Sequence, residues 1–253
     1  MNQLLRLLII QVWLACPFSL LANHLPQTIN SVKPSIVAIA IEDPIGPTRY
    51  KLLGTGFAIN DGSTIVTNAH MFQANVTGQQ RFVVLSGQGN TSKNHMILKH
   101  KVFEHFDLAL LTIDGKLPSL KLASDEPAAE GTDLAFTGYP ITDVLGLYPA
   151  THRATLSAVT PIVIPQISSQ SISAEMVRLL RDPIVIYQLD ATAYPGNSGS
   201  PLFDVTSGHV VGIINMVYVK RTKEAVLADP SGISYAIPVH YLHFAIAHFN
   251  DHE

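Results

Sequence analysis

Short apolar and alternating runs fill the chain beyond Asn23, and turn residues separate them. Asp61-Gly62, Asp114-Gly115 and Ser207-Gly208 are typical of tight turns between strands. Many short strands divided by such turns indicate an all-β barrel or sandwich. The predicted strands are Ser35–Ile41, Lys51–Ile59, Thr64–Thr67, Arg81–Leu85, His95–Val102, Leu108–Ile113, Thr132–Thr137, Arg153–Thr160, Ile184–Leu189, His209–Val219 and Ile233–Ile237.

Two segments depart from this pattern. Val239–Asn250 carries apolar residues on one helical stripe behind Pro238, which predicts a terminal helix packed on the strands. Ser171–Arg181 also has helical spacing, with Ser173 as its N-cap. It lies within Tyr139–Pro183, a long stretch that interrupts the strand pattern and is either a mobile loop or a passive insertion.

Residues 1–22 carry one charge, at Arg6, which is followed by an almost unbroken apolar run from Leu7 to Ala22. This pattern is typical of a secretory signal peptide, so we expect export, to a bacterial periplasm or the medium, and a mature domain over residues 23–253. One alternative is a retained membrane anchor, although the run is shorter than the roughly 20 apolar residues of a spanning helix. A second is lipid attachment at Cys16, which Trp13 disfavours because such signals usually carry leucine there.

The 253 residues are 47% apolar and 14% charged, with a formal charge of −3. A chain that is near neutral and slightly acidic disfavours nucleic-acid partners. Its single cysteine excludes internal disulfides and a multi-cysteine zinc site. Among its histidines, His240, His243 and His248 lie on the terminal helix without a common face or an HExxH pattern. We therefore expect neither a metal nor a cofactor.

Three short runs carry candidate chemistry: Thr64–His70, Asp107–Leu111 and Gly196–Pro201. A hydrolase that attacks a carbonyl with a hydroxyl needs a base, an acid that orients the base, and donors for the developing oxyanion. Each run supplies a residue for one of these roles. The glycines on both sides of Ser198 also permit a tight turn whose backbone N–H groups converge.

Each run also has a structural interpretation when it is taken alone. His70 can be a hydrogen-bonded structural histidine, Asp107 a strand-end cap, and Gly196–Gly199 an ordinary turn. Their joint occurrence in the order His, Asp, Ser favours catalysis. That order is the one found in chymotrypsin-type barrels, whereas subtilisin and the α/β-hydrolases use other orders.

These runs, together with TGFAIN at Thr55–Asn60 and SGISYAIP ending at Pro238, resemble the trypsin-like serine peptidases. Within that family they are most similar to the HtrA/Deg-type bacterial proteases, although Ser200-Pro201 is similar to the glutamyl endopeptidases. The resemblance implies an all-β fold, a chymotrypsin-like double β-barrel with a short C-terminal helix. It places the active site in the cleft between the barrels.

The resemblance also implies a role for each site residue. His70 is the expected general base, Asp107 the group that orients it, and Ser198 the nucleophile. The backbone N–H groups of Gly196 and Ser198 are the expected oxyanion hole. The chain is therefore expected to be a serine endopeptidase that cleaves polypeptides through an acyl-enzyme.

Alignment to the family places Thr192 at the base of the primary specificity pocket, with Asn215, Val217 and Ser234 near its walls. No carboxylate occurs among these residues, so an ion pair with a substrate Lys or Arg is not available. The glutamyl endopeptidases carry a pocket histidine on the strand that corresponds to Gly212–Asn215, and this chain has no histidine there. We expect cleavage after small or medium apolar residues.

Asn197 stands where zymogen-type relatives carry an aspartate that pairs with a newly cut N-terminus. A neutral amide cannot form that ion pair, so we expect activity to depend on loop ordering, with Tyr139–Pro183 as the candidate switch. Relatives of the HtrA type continue into PDZ domains, whereas we expect none here, and the oligomeric state stays open. Two rival functions remain: an inactive barrel that serves as a binding scaffold, and an esterase of the same mechanism.

Overall fold

The computed structural model describes residues 24–140, 146–161, 183–215 and 232–251. Within these ranges, twelve strands form two closed antiparallel barrels of six strands each. This arrangement confirms the predicted chymotrypsin-like double β-barrel with a short C-terminal helix. In the part of the chain so described, no helix is long and apolar enough to cross a membrane.

The first barrel contains the first six strands in the order β1-β2-β3-β6-β5-β4, and β4 pairs with β1 to close it. Every residue of β1 is buried, which fits its almost wholly apolar sequence. The strands are β1 Ile36–Glu42, β2 Tyr50–Ile59, β3 Thr64–Thr67, β4 Arg81–Ser86, β5 Lys93–Phe103 and β6 Leu108–Ile113.

The second barrel repeats this topology in the order β7-β8-β9-β12-β11-β10, with β10 paired to β7. The strands are β7 Asp133–Gly138, β8 Ala150–Pro161, β9 Val185–Asp190, β10 Pro201–Asp204, β11 Val210–Ile214 and β12 Ile233–Pro238.

In the described part of the chain, two α-helices pack on the outside of the barrels. Helix α1, Leu25–Val32, lies against the second barrel, where the Thr28 hydroxyl donates to the Val205 carbonyl at 2.9 Å. Helix α2, Val239–Ala247, follows β12 and packs on strands of both barrels. Short 3₁₀ helices occur at Lys33–Ser35, Ala69–Gln73, Gly89–Thr91 and Glu104–Phe106.

The predicted strands agree with the structure to within a few residues where both can be compared, and three differences are informative. Strand β10 was not predicted, because it has only four residues and begins with a proline directly after the Ser198 turn. The terminal helix ends at Ala247 rather than Asn250, and α1 was not predicted.

The segment Tyr139–Pro183 is not one continuous loop, because it contains β8, which corresponds to the predicted strand Arg153–Thr160 and pairs with both β7 and β9. Strand β8 is therefore a regular strand of the second barrel. The predicted helix Ser171–Arg181, the residues 1–22 with Cys16, and Val217 lie outside the described residues.

Candidate active site

His70 lies just after β3, in the 3₁₀ turn Ala69–Gln73 at the junction of the barrels. Its backbone N–H donates to Asp107 Oδ1 at 2.8 Å, and its ring Nδ1 lies 2.7 Å from Asp107 Oδ2. The carboxylate therefore holds both the backbone and the ring of the histidine. With Nδ1 carrying the proton that faces Asp107, Nε2 is the ring nitrogen that can accept another proton.

Asp107 ends the turn Glu104–Phe106 and has a left-handed backbone, with φ of 53°. Aspartate tolerates this conformation better than most residues. The Asp107 carbonyl accepts hydrogen bonds from the Ala69 N–H at 3.1 Å and the Asn68 amide at 3.0 Å. These two bonds tie the segment before β6 to the segment after β3, so Asp107 and His70 are fixed relative to each other.

Asn215 follows β11 and is fully buried. Its Nδ2 donates to Asp107 Oδ2 at 2.7 Å, so the aspartate oxygen that faces the histidine ring is also held from the second barrel. Sequence alignment assigned Asn215 to the pocket wall and did not suggest this contact. The signal in the sequence was only a short amide at the end of an apolar strand, which does not identify its partner.

Ser198 lies in a tight turn flanked by Gly196 and Gly199, both with positive φ, of 99° and 85°. Backbone bonds from the Asn197 N–H to the Tyr194 carbonyl and from the Ser200 N–H to the Asn197 carbonyl form the turn. A Cβ at Gly199 would lie 2.0 Å from the Thr55 carbonyl oxygen, so the position requires glycine for both φ and space.

Strand β2 of the first barrel holds this turn in place. The Thr55 N–H donates to the Ser198 carbonyl at 2.9 Å, and the Thr55 hydroxyl donates to the Gly196 carbonyl at 2.7 Å. Gly54 lies between Met71, the neighbour of His70, and the Ser198 carbonyl, since an added Cβ would approach both. The structure thus brings His70, Asp107 and Ser198 to one junction.

Asn197 is fully buried, and neither atom of its amide has a hydrogen-bond partner among the described residues. The nearby Ser200 hydroxyl is equally unpaired within the described chain. A carboxylate at position 197 would place a charge here without a cationic partner among these residues, which costs far more than a neutral amide. The asparagine therefore fits a site built without an N-terminal ion pair.

The predicted specificity pocket is described in part. Ser234 is buried, and its hydroxyl accepts from the Ala193 N–H at 2.9 Å and donates to the Ala191 carbonyl at 2.8 Å. These bonds hold the segment that carries Thr192, which is half-buried. Ala191 and Ala193 pack in an apolar cluster with Phe136. The segment that carries the predicted floor residue, Thr192, is thus held by Ser234.

A histidine lies next to the segment that leads to the nucleophile. The ring of His152 stacks on Phe136, with ring centroids 4.9 Å apart, and lies 5.8 Å from the ring of Tyr194. Burial lowers the pKa of His152, because an apolar surround disfavours its charged form. This histidine is neutral at pH 7 and acts as an aromatic packing residue. In the part of the chain that the structure describes, no group of three or more metal-ligating side chains occurs.

The two closed barrels and the site at their junction define the chymotrypsin-like class of folds. The family model of the trypsin-like peptidase domain matches residues 54–213, more than half of the chain. The chain therefore belongs to the trypsin-like peptidase family.

Curated relatives are similar in sequence. A "Probable periplasmic serine endoprotease DegP-like" of Halomonas elongata is 30% identical over 189 residues, which cover 74% of this chain and 33% of that protein. A "Putative serine protease HhoA" of Synechocystis is 29% identical, covering 78% of this chain and 43% of the relative. The chain thus spans between a third and a half of the length of these relatives.

Solved structures support the fold. The active form of the Rv3671c protease of M. tuberculosis superposes with a TM-score of 0.60 at 22% identity, covering 89% of this chain and 85% of that one. An HtrA-type protease, an AlgW variant with a tripeptide, gives a TM-score of 0.60 at 19% identity, covering 90% of this chain and 64% of that one. At these identities the likeness shows the double-barrel fold alone.

Proposed function

We propose that this protein is a serine endopeptidase that uses His70, Asp107 and Ser198. The observation that carries the proposal is the double hold of Asp107 on His70, through Nδ1 at 2.7 Å and the backbone N–H at 2.8 Å, beside the glycine turn of Ser198. Membership of the trypsin-like peptidase family supports it. A histidine that is oriented in this way beside a hydroxyl is the arrangement that acyl transfer requires.

The reaction follows from these positions. Ser198 Oγ attacks the peptide carbonyl carbon, and its proton passes to His70 Nε2. The negative charge on the former carbonyl oxygen is stabilised by the N–H groups of Gly196 and Ser198. His70 then gives the proton to the departing amine, which leaves an acyl ester on Ser198. Water, deprotonated by His70, hydrolyses this ester and restores the serine.

The proposed specificity is for small or medium apolar residues, such as Ala, Val or Leu, immediately before the cut. The support is the segment Ala191–Ala193, which Ser234 braces and in which Thr192, between two alanines, offers no carboxylate to pair with Lys or Arg. A peptide-library profile should be dominated by these apolar residues. A profile dominated by Arg or Glu would contradict the pocket assignment.

We also infer that the substrates are polypeptides outside the cytoplasm. The apolar residues 1–22 and the similarity to proteins named as periplasmic endoproteases support export. Neither a cofactor nor a metal has a part in the proposed mechanism. Lipid attachment at Cys16 stays the alternative to cleavage and release, and mass spectrometry of the exported protein would distinguish the two.

The test is cleavage of casein by the purified protein and by Ser198→Ala. We expect the wild type to degrade casein and the variant to have no detectable activity. Equal cleavage by both proteins would contradict the assignment of Ser198. Cleavage of nitrophenyl esters without cleavage of casein or of a peptide library would identify an esterase, and binding of casein without any turnover would identify a scaffold.

A further inference from the structure

Phe106 immediately precedes Asp107 and packs against two aromatic rings of the C-terminal helix α2. Its ring stacks on Tyr241, with centroids 4.7 Å apart and planes at 26°, and meets Phe244 edge-on at 5.5 Å. Phe106 belongs to the first barrel, whereas α2 follows the last strand of the second. We propose that Tyr241 and Phe244 are positioning residues that hold Asp107 through Phe106. This inference rests on the proposed function.

Helix α2 packs on two strands whose ends adjoin Asp107 and its partner Asn215 in the sequence. It packs on β6, which begins at the residue after Asp107, and on β11, which ends at the residue before Asn215. The Tyr241 hydroxyl also accepts a hydrogen bond from the Val185 N–H at the start of β9, at 2.9 Å. One helix therefore joins the turn that carries Asp107 to the strand that delivers its amide partner.

The far end of α2 is anchored to the first barrel by two lysines of β5. Lys101 Nζ donates to the carbonyls of His248 and Asp251, both at 3.0 Å, and Lys99 Nζ donates to the Phe249 carbonyl at 3.3 Å. Cations at a helix C-terminus satisfy its free carbonyls and favour its dipole. The helix is thus fixed at both ends, so it can act as a rigid support.

The turn at Asp107 needs such support. Its left-handed backbone is stabilised locally by one bond, from the Asp107 N–H to the Glu104 carbonyl at 3.2 Å. His105 and Glu104 in the same turn are exposed, so Phe106 supplies the apolar contact of this turn with the core. Loss of the rings that contact Phe106 removes this apolar contact, so we expect the hydrogen bonds of Asp107 alone to hold the carboxylate less precisely against His70.

The test is the kinetics of Tyr241→Ala and Phe244→Ala. We expect kcat to fall by about 10- to 100-fold in Tyr241→Ala with little change in KM, because small misplacements of a catalytic group have effects of this size. Tyr241→Phe keeps the ring and should retain most of the activity.

Phe244 is 47% exposed, so Phe244→Ala should fold and should show the same changes at smaller size. Tyr50→Ala is the matched control. Tyr50 is the first residue of β2, away from Thr55, and its ring packs against the hydrophobic core. This variant should lose stability without a selective fall of kcat. Wild-type kcat in folded Tyr241→Ala and Phe244→Ala, or an equal fall of kcat in Tyr50→Ala, would overturn the inference. Absence of Ser198-dependent cleavage in the wild type would instead overturn the proposed function.

Discussion

The described structure contains two places where a histidine faces an aspartate and a serine lies nearby, and they differ in how the carboxylate and the serine are held. In the first barrel, Ser86 Oγ lies 2.8 Å from His95 Nε2, and His95 Nδ1 lies 3.8 Å from Asp114 Oδ1. At the junction of the barrels, the corresponding histidine and aspartate atoms of His70 and Asp107 are 2.7 Å apart. Ser86 and Ser198 are equally buried, at 6% exposure each, so burial does not distinguish them.

The carboxylate makes the first difference. A separation of 3.8 Å is outside hydrogen-bond reach, and Asp114 Oδ1 is already bound by the Met96 N–H at 2.9 Å. Asp107 instead receives the histidine ring, the histidine N–H and the Asn215 amide on its two oxygens. Only the second arrangement fixes both the tautomer and the orientation of the imidazole.

The backbone at the serine makes the second difference. Ser86 pairs with Val37 and Lys93 within the barrel sheet, so its backbone is part of regular strand pairing. Ser198 occupies a turn between two glycines of positive φ, where N–H groups can face a substrate oxygen. The two groups thus share residue types and differ in the support around them, and this difference is the reason why we propose catalysis only for the group at the junction.

The largest expected effect is that of Ser198→Ala. On the Ser-His-Asp template, loss of the nucleophile lowers kcat by a factor on the order of 10⁶. We expect casein cleavage to fall below detection while the thermal unfolding midpoint changes little. Residual activity in Ser198→Ala that a further Ser86→Ala removes would contradict the comparison, because the first-barrel group would then be catalytic.

Asp107→Asn should have the next largest effect. An amide that donates toward His70 Nδ1 stabilises the wrong tautomer, and this change lowers kcat by about 10⁴ on the template. The matched control is Asp114→Asn, which we expect to stay within about twofold of the wild-type kcat/KM, since a surface contact of this kind contributes little. Similar losses in the two variants, measured with one peptide substrate, would show that the two groups do not differ as described.

Asn215→Ala should have an intermediate effect. A buried hydrogen bond to a charged group contributes about 1.5–3 kcal/mol, so kcat/KM should fall by roughly 10- to 100-fold. Asn68→Ala is the control, because Asn68 bonds to the Asp107 carbonyl and not to its carboxylate. A larger loss of activity in Asn68→Ala than in Asn215→Ala would show that the carboxylate contact is not the important one.

The smallest effect on activity is expected for Ser86→Ala. Loss of the Ser86–His95 bond should lower the free energy of unfolding by about 1 kcal/mol, as for a typical hydrogen bond. The kcat/KM should stay within experimental scatter of the wild type. Urea denaturation and peptide kinetics on the same preparation check both statements, and a tenfold loss of kcat/KM would be incompatible with a structural role.

The alternating runs in the sequence were sufficient to predict the strands and an all-β barrel or sandwich, because period and turn residues are local signals. The choice of a double barrel came from the resemblance to the trypsin-like peptidases. Strand β10 escaped because its four residues, Pro201–Asp204, are too short to show a period. The runs around His70, Asp107 and Ser198 could be recognised in the sequence because each places a reactive side chain beside a distinctive neighbour. His70 and Asp107 adjoin apolar strands, and glycines flank Ser198.

The supports of the site could not be predicted in the same way. Asn215 contacts Asp107 across 108 positions of sequence, and Phe106 contacts α2 across the junction of the barrels. Neither residue has a local pattern that names its partner, because these contacts depend on how two barrels pack. The Ser86 group was equally invisible, since its members lie on or beside three different strands.

The most direct measurement of the central claim is labelling by a fluorophosphonate probe followed by peptide mapping, since such probes react only with an activated serine. The account predicts one labelled residue, Ser198, with labelling strongly reduced in Asp107→Asn and unchanged in Asp114→Asn. A label on Ser86, or an absence of label in a folded wild-type protein, would contradict it.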